Sequence, residues 1–132
     1  MIVDSSAVVA ILRQEPDAEI LAEAIEQAMP VRMSVATFLE TAIVVDSKRD
    51  AIASRRLDDF MREASIEVVE VSLEQVRVAR EAYRDFGKGS GHRAGLNFGD
   101  VFAYALARTS GEPLLFMGDD FAATDIEPAL VR

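Results

Sequence analysis

The chain has no cysteine and no tryptophan, and its 132 residues include a single histidine, His92. Without cysteine there is neither a disulfide framework nor a thiolate zinc site. One histidine excludes a multi-histidine metal centre and weighs lightly against a Ser-His-Asp triad. No apolar run approaches the roughly 20 residues that a membrane-spanning helix needs. Met1 runs directly into an apolar MIV with no basic leader or cleavage signal, so a soluble, cytoplasmic protein without membrane contact is expected. Bases are also scarce. Fourteen Lys and Arg face 23 Asp and Glu, a net charge of −9, which argues against a general polyanion binder. The deficit is uneven. Glu15 to Glu26 holds five acids and no base, whereas Lys88 to Arg93 holds Lys88, His92 and Arg93 and no acid. A local basic rim on an acidic protein remains compatible with nucleic acid, and most of the remaining acidity reads as solvated surface.

Half of the residues are hydrophobic, enough for the core of one compact domain spanning residues 1–132. Apolar Met1–Val3 reads as a short buried strand ending at Asp4. Ser5 or Ser6 then caps a helix to about Arg13, and Pro16 suits the first turn of a second helix that Pro30 ends. Val31–Val35 reads as a strand. A helix started by Ser34 or Thr37 follows to about Ser47, with Phe38, Thr41, Ala42 and Val45 near one face. A further helix is expected over Asp50–Ala64 and a strand over Glu67–Val71. Ser72 opens a capped helix running to Phe86. Gly87–Gly95 holds four glycines in nine residues and must be a loop. Asn97 caps a helix from Phe98 to about Ser110, Pro113–Met117 reads as a buried strand, and a short strand or tail begins near Ile126. Helices alternating with strands predict a three-layer α/β/α domain with a mostly parallel central sheet.

Four acids fall where such a chain turns from one element to the next: Asp4, Glu40, Asp100 and Asp119. Open α/β folds form ligand sites at the carboxyl edge of their strands. Carboxylates gathered there raise each other's pKa, and a hard divalent cation such as Mg²⁺ or Mn²⁺ relieves the repulsion. The pattern therefore points to metal-dependent phosphoryl transfer or phosphodiester cleavage. Each acid also has an ordinary structural role available. Asp4 can cap the first helix, and Glu40 stands at capping-box spacing from Thr37. Asp100 suits a helix N-terminus, and Asp119 and Asp120 suit a turn. It is the set that favours a site. Lys88, His92 and Arg93, on the loop before Asp100, are candidates for holding RNA phosphates. Tyr83, Phe98, Phe102 and Tyr104 read as core or dimer-contact aromatics rather than stacking platforms.

The segments MIVDSSAVVAIL, SVATFLETAIV, AYRDFGKGSGHRAGLNFGDVFAYALA and LLFMGDDFAATDI, in that order and spacing, resemble the PIN-domain nucleases and within them the VapC-type toxins. The resemblance runs essentially the full length. It implies an endoribonuclease toxin dependent on Mg²⁺ or Mn²⁺, a homodimer, and inhibition by a VapB-like antitoxin whose amphipathic segment lies in a groove. By position, Asp4, Glu40 and Asp100 match the core acids, with Asp4 and Asp100 the expected metal ligands. Asp119 is taken as the fourth acid with Asp120 beside it, and Ser6 matches a small hydroxyl residue bonding to Asp4 or to a metal water. Two other readings compete. A phosphatase of the haloacid dehalogenase type would need an acid where Ser6 stands. A non-catalytic dimerisation module would be expected to have lost a core acid, and none is missing.

Overall fold

The computed structural model describes residues 1–131. Four strands, β1 (Ile2–Val3), β2 (Arg32–Ser34), β3 (Glu67–Val69) and β4 (Leu114–Leu115), form one sheet in the order β3-β2-β1-β4, every pair parallel. Among the described residues six α-helices join them: α1 (Ser5–Leu12), α2 (Ala18–Gln27), α3 (Val35–Asp46), α4 (Ala51–Glu63), α5 (Leu73–Phe86) and α6 (Asp100–Ser110). The result is the expected three-layer α/β/α arrangement.

The two-residue period of a strand assigns the layers. Ile2 and Leu114 point into one core with Ala79, Ala82 and the buried face of α6. Val3, Leu115 and Met33 point the other way, into a core built by α1, α2 and α4. Strands buried on both faces must be apolar at every position, which is why the first and last read as unbroken hydrophobic runs. Alanines on the facing surfaces of α5 and α6 let these helices lie close. Their connecting loop returns at Gly87 and Leu96, where the Leu96 N–H donates to the Phe86 carbonyl at 2.9 Å. The outer edge of β4 is covered by the C-terminal segment: the Ala129 N–H donates to Leu114 and the Leu114 N–H to Glu127.

Several boundaries differ from the sequence reading, each for a local reason. The cap of α1 is Asp4 itself, which accepts from the Ser6 N–H, so both serines lie inside the helix. Pro16 stands in a turn before α2 rather than in its first turn. Ser34, not Thr37, caps α3, which places Thr37 in the buried interior of the helix. Glu40 is consequently mid-helical, neither at a turn nor a capping-box partner. The helix after Asn97 begins at Asp100, two residues later than expected, because Asn97 and Asp100 exchange two hydrogen bonds across an intervening turn. The strands are also shorter than expected, and at Ile126 only an isolated bridge, Leu114 to Pro128, is formed.

Candidate metal and phosphodiester site

The order β3-β2-β1-β4 reverses direction between β1 and β4, and the carboxyl ends of the strands at such a switch point are where open α/β folds form their ligand crevice. Asp4 ends β1 at this point and is 2 % exposed. Its Oδ2 accepts from the Ser6 N–H at 3.0 Å and the Ser6 hydroxyl at 2.7 Å. Ser6 Oγ accepts in turn from the Met117 N–H, just beyond β4, at 2.9 Å. Ser6 therefore ties both sides of the crevice to one carboxylate oxygen. The other oxygen, Oδ1, is buried with no hydrogen-bond partner. A buried acceptor left unpaired is costly, and its persistence calls for an explanation.

Glu40 reaches the same place from the second turn of α3. The Ser5 hydroxyl donates to its Oε1 at 2.8 Å, and its Oε2 would lie 1.8 Å from a Cβ built on Gly99. A side chain at this position would displace the Glu40 carboxylate, and glycine leaves it room. Asp100 follows Gly99. Its Oδ2 accepts from the Asn97 N–H at 2.9 Å, while its own N–H donates to Asn97 Oδ1 at 2.9 Å. The carboxylate is thus fixed at the mouth of the crevice.

The electrostatics are those of crowded anions. Burial, opposed by the two Ser6 hydrogen bonds and reinforced by the charges of Asp100 and Glu40, pushes the Asp4 carboxyl up to about 6. Asp100 is raised too, chiefly by burial and then by Glu40 and Asp120, with the Lys88 ammonium pulling the other way. Of the two acids in the last turn, Asp120 adds its charge to that rise. Both line a shallow cleft with Arg93.

Lys88 and Arg93 are exposed near these acids, whereas His92 is half-buried and committed to its loop. Its Nδ1 accepts from the Ala94 N–H at 3.0 Å and its ring meets Phe86 edge-on at 4.9 Å. The aromatic residues read as core or dimer contacts divide between the interior and the surface. Tyr104 is core, its hydroxyl donating to Asp125 at 2.6 Å, and Phe102 packs against the core, but Tyr83 and Phe98 are exposed. Ser5 and Gly99 were not singled out as positioning Glu40. The serine pair after Asp4 and the glycine before Asp100 were the available signals.

The donor set is carboxylate oxygen alone, with one buried lone pair unpaired, which suits a hard cation better than a thiophilic one. Among the described residues no three acids stand close enough to enclose an ion unaided. The fit is therefore to a cation that keeps several waters.

The PIN domain family profile matches residues 1–127. Ribonuclease VapC28 of Mycobacterium tuberculosis is 53% identical over 132 residues, covering 100% of this chain and 99% of that protein. Ribonuclease VapC of Mycolicibacterium smegmatis is 53% identical over 127 residues, covering 96% of this chain and 97% of that one. Among solved structures, Mycobacterium tuberculosis VapC20, described as a sarcin-ricin loop cleaving toxin, superposes with a TM-score of 0.74 over 95% of each chain at 17% identity, a likeness of fold. Carrying both the crevice of acids and this likeness along its whole length, the chain belongs to the PIN domain family and, within it, to the VapC ribonucleases.

Proposed function

We propose that this protein is a cytoplasmic endoribonuclease toxin that hydrolyses RNA phosphodiester bonds with Mg²⁺ or Mn²⁺ and is neutralised by a VapB-like antitoxin. The observation that carries this reading is Asp4: buried, unpaired at Oδ1, and raised to about 6 among neighbouring acids. Asp4 and Asp100 would hold the ion, with Glu40 and Asp120 reaching it through its waters. The fourth acid is Asp119 or its neighbour Asp120, and the contribution of the Asp120 charge to the raised Asp100 carboxyl favours Asp120. The ion supplies Lewis acidity at a phosphoryl oxygen and lowers the pKa of an attacking water. Ser6 holds Asp4 in one orientation and leaves Oδ1 for that role. Glu40, held by Ser5, would accept a proton from the attacking water. Lys88 and Arg93 hold phosphates on either side of the scissile bond.

Purified protein incubated with total RNA is expected to release discrete fragments with Mg²⁺ or Mn²⁺ and none with EDTA. Intact RNA under all conditions, from folded protein free of antitoxin, would overturn the reading. Gly99→Ala tests the placement of Glu40. Its methyl has no room beside Oε2, so the carboxylate must move and cleavage should fall about 100-fold with the circular dichroism spectrum retained. Replacing Lys88 and Arg93 together by Ala should weaken RNA binding and reduce the slope of log K against log salt by about 1.4, two phosphate contacts on a single strand. An unchanged slope would return both residues to solvated loop.

Two surfaces support the partners. The apolar groove between α1, α3 and α4 has Val9, Leu12 and Val45 in its floor and Arg13, Lys48 and Arg56 on its rim. It suits the apolar face of an antitoxin helix flanked by acids. On α3, Val35, Leu39 and Ile43 form an exposed apolar row at four-residue spacing, the face a second copy would cover in a homodimer.

A further inference from the structure

Phe98 is 75% exposed, although it stands two residues before Asp100. Its backbone is held in place. The Asn97 N–H donates to Asp100 Oδ2 and the Asp100 N–H to Asn97 Oδ1, each at 2.9 Å, so the pair closes a bracket around Phe98 and Gly99. Its ring is braced as well, meeting Phe102 at 5.1 Å between centroids and 86° between planes, and Phe102 in turn packs on the core. The next residue, Gly99, lies against the Glu40 carboxylate, and Lys88 is near enough to stabilise the charge of Asp100. An immobilised aromatic ring with most of its surface open therefore shares one rim with the acids and a cation.

We propose that Phe98 is a stacking platform for an unpaired nucleobase flanking the scissile phosphate. This rests on the ribonuclease reading above and specifies its substrate. Every base offers a π-face, whereas bases in an A-form duplex are stacked on each other and unavailable to a side chain. A ring fixed before the substrate arrives loses little freedom on binding, which favours a bracketed, braced phenylalanine over one on a mobile loop. Lys88 supplies the neighbouring phosphate contact, giving the alternation of stacking and charge by which proteins hold single strands.

The chain has no tryptophan, so Phe98→Trp introduces a single indole at the site. A dye-labelled unpaired oligoribonucleotide is titrated into this variant in EDTA, reading RNA binding by anisotropy and stacking by tryptophan emission. The expected result is quenching that follows the anisotropy curve, and none with the same sequence in a duplex. Binding without quenching overturns the platform and leaves the ribonuclease reading standing. Absence of binding to any RNA, with Mg²⁺-dependent cleavage also absent, overturns both. In cleavage, Phe98→Ala should lower kcat/KM on unpaired RNA about 5- to 150-fold, the loss of one stacked base, with Phe98→Tyr restoring it. Wild-type kcat/KM in Phe98→Ala overturns the proposal. So does a Phe98→Ala variant that loses a wild-type dimer by light scattering and regains cleavage at high protein concentration, because the ring then belongs to a second copy.

Discussion

Asp4→Asn is expected to lower RNA cleavage by at least about 100-fold and, in the same molecule, to raise the melting temperature of the metal-free protein. Loss of activity alone would be ambiguous; the opposite sign of the two effects is the discriminating feature. Burial and the charges of Asp100 and Glu40 raise the Asp4 carboxyl from 3.8 to about 6 in the folded chain. Between those values the unfolded state has released its proton and the folded state has not. Stability from this group is therefore highest at or below pH 4, falls as pH rises towards 6, and stays low above it. At neutral pH the penalty is on the order of 3 kcal/mol. Asparagine remains a good helix cap and carries no charge, but its amide occupies the place of an unpartnered oxygen and returns part of the gain. A net gain of about 1–2 kcal/mol, or roughly 3–7 °C at pH 7.5, is expected by calorimetry. It should shrink as pH falls and disappear below 3.8, where wild-type Asp4 is protonated in both states. A variant that is inactive and less stable at pH 7.5 would assign Asp4 a structural role only.

Mg²⁺ or Mn²⁺ should raise the melting temperature of the wild-type protein, and the same ions should leave Asp4→Asn nearly unmoved. A ligand at a hundred times its Kd stabilises the folded state by about 2.7 kcal/mol, or roughly 5–10 °C for a chain of this size. The shift should be pH-dependent. The ion competes with a proton at Asp4, so the response should be full at pH 7.5 and fade as pH falls through 6. Thermal unfolding across that range, with metal and with EDTA, provides the test. An equal rise in wild type and Asp4→Asn would place any bound ion elsewhere, for example on the acidic surface of α2. No rise in either would leave the relief of Asp4 unexplained by a cation.

The two expectations share one cause. An unpartnered, buried carboxylate oxygen is a cost in the folded protein and the donor that a cation would use. The reserve of repulsion among Asp4, Glu40 and Asp100 makes the apo fold less stable and makes a hard cation bind more strongly, since each carboxylate gains a counter-charge in a site poor in water.

Much of this molecule was legible in its one-dimensional pattern. The alternation of apolar runs with helical periodicity determined the α/β class. Short-range chemistry determined many helix ends, since Asp50 before α4, Ser72 before α5 and Gly111 after α6 act on backbone groups only a few residues away. Asp4 and Asp100 could be picked out because each stands beside small residues at the end of an apolar segment. Other features depended on distances between segments remote in sequence. Whether Ser34 or Thr37 started α3 turned on where β2 ended, since both are buried, and the cap at Ser34 put Glu40 in the middle of a helix rather than at a turn. Which of Asp119 and Asp120 faces Asp100 depended on how the turn after β4 packs. The commitment of His92 to Phe86 and the exposure of Phe98 depended on the folding of a glycine-rich loop whose composition allows many paths. Local hydrogen-bonding and hydrophobic period act over a few residues and are written in the sequence; the convergence of carboxylates, the orphaned oxygen and the raised Asp4 carboxyl arise from burial and Coulomb interaction across the fold, which exist only once the strands have brought those residues together.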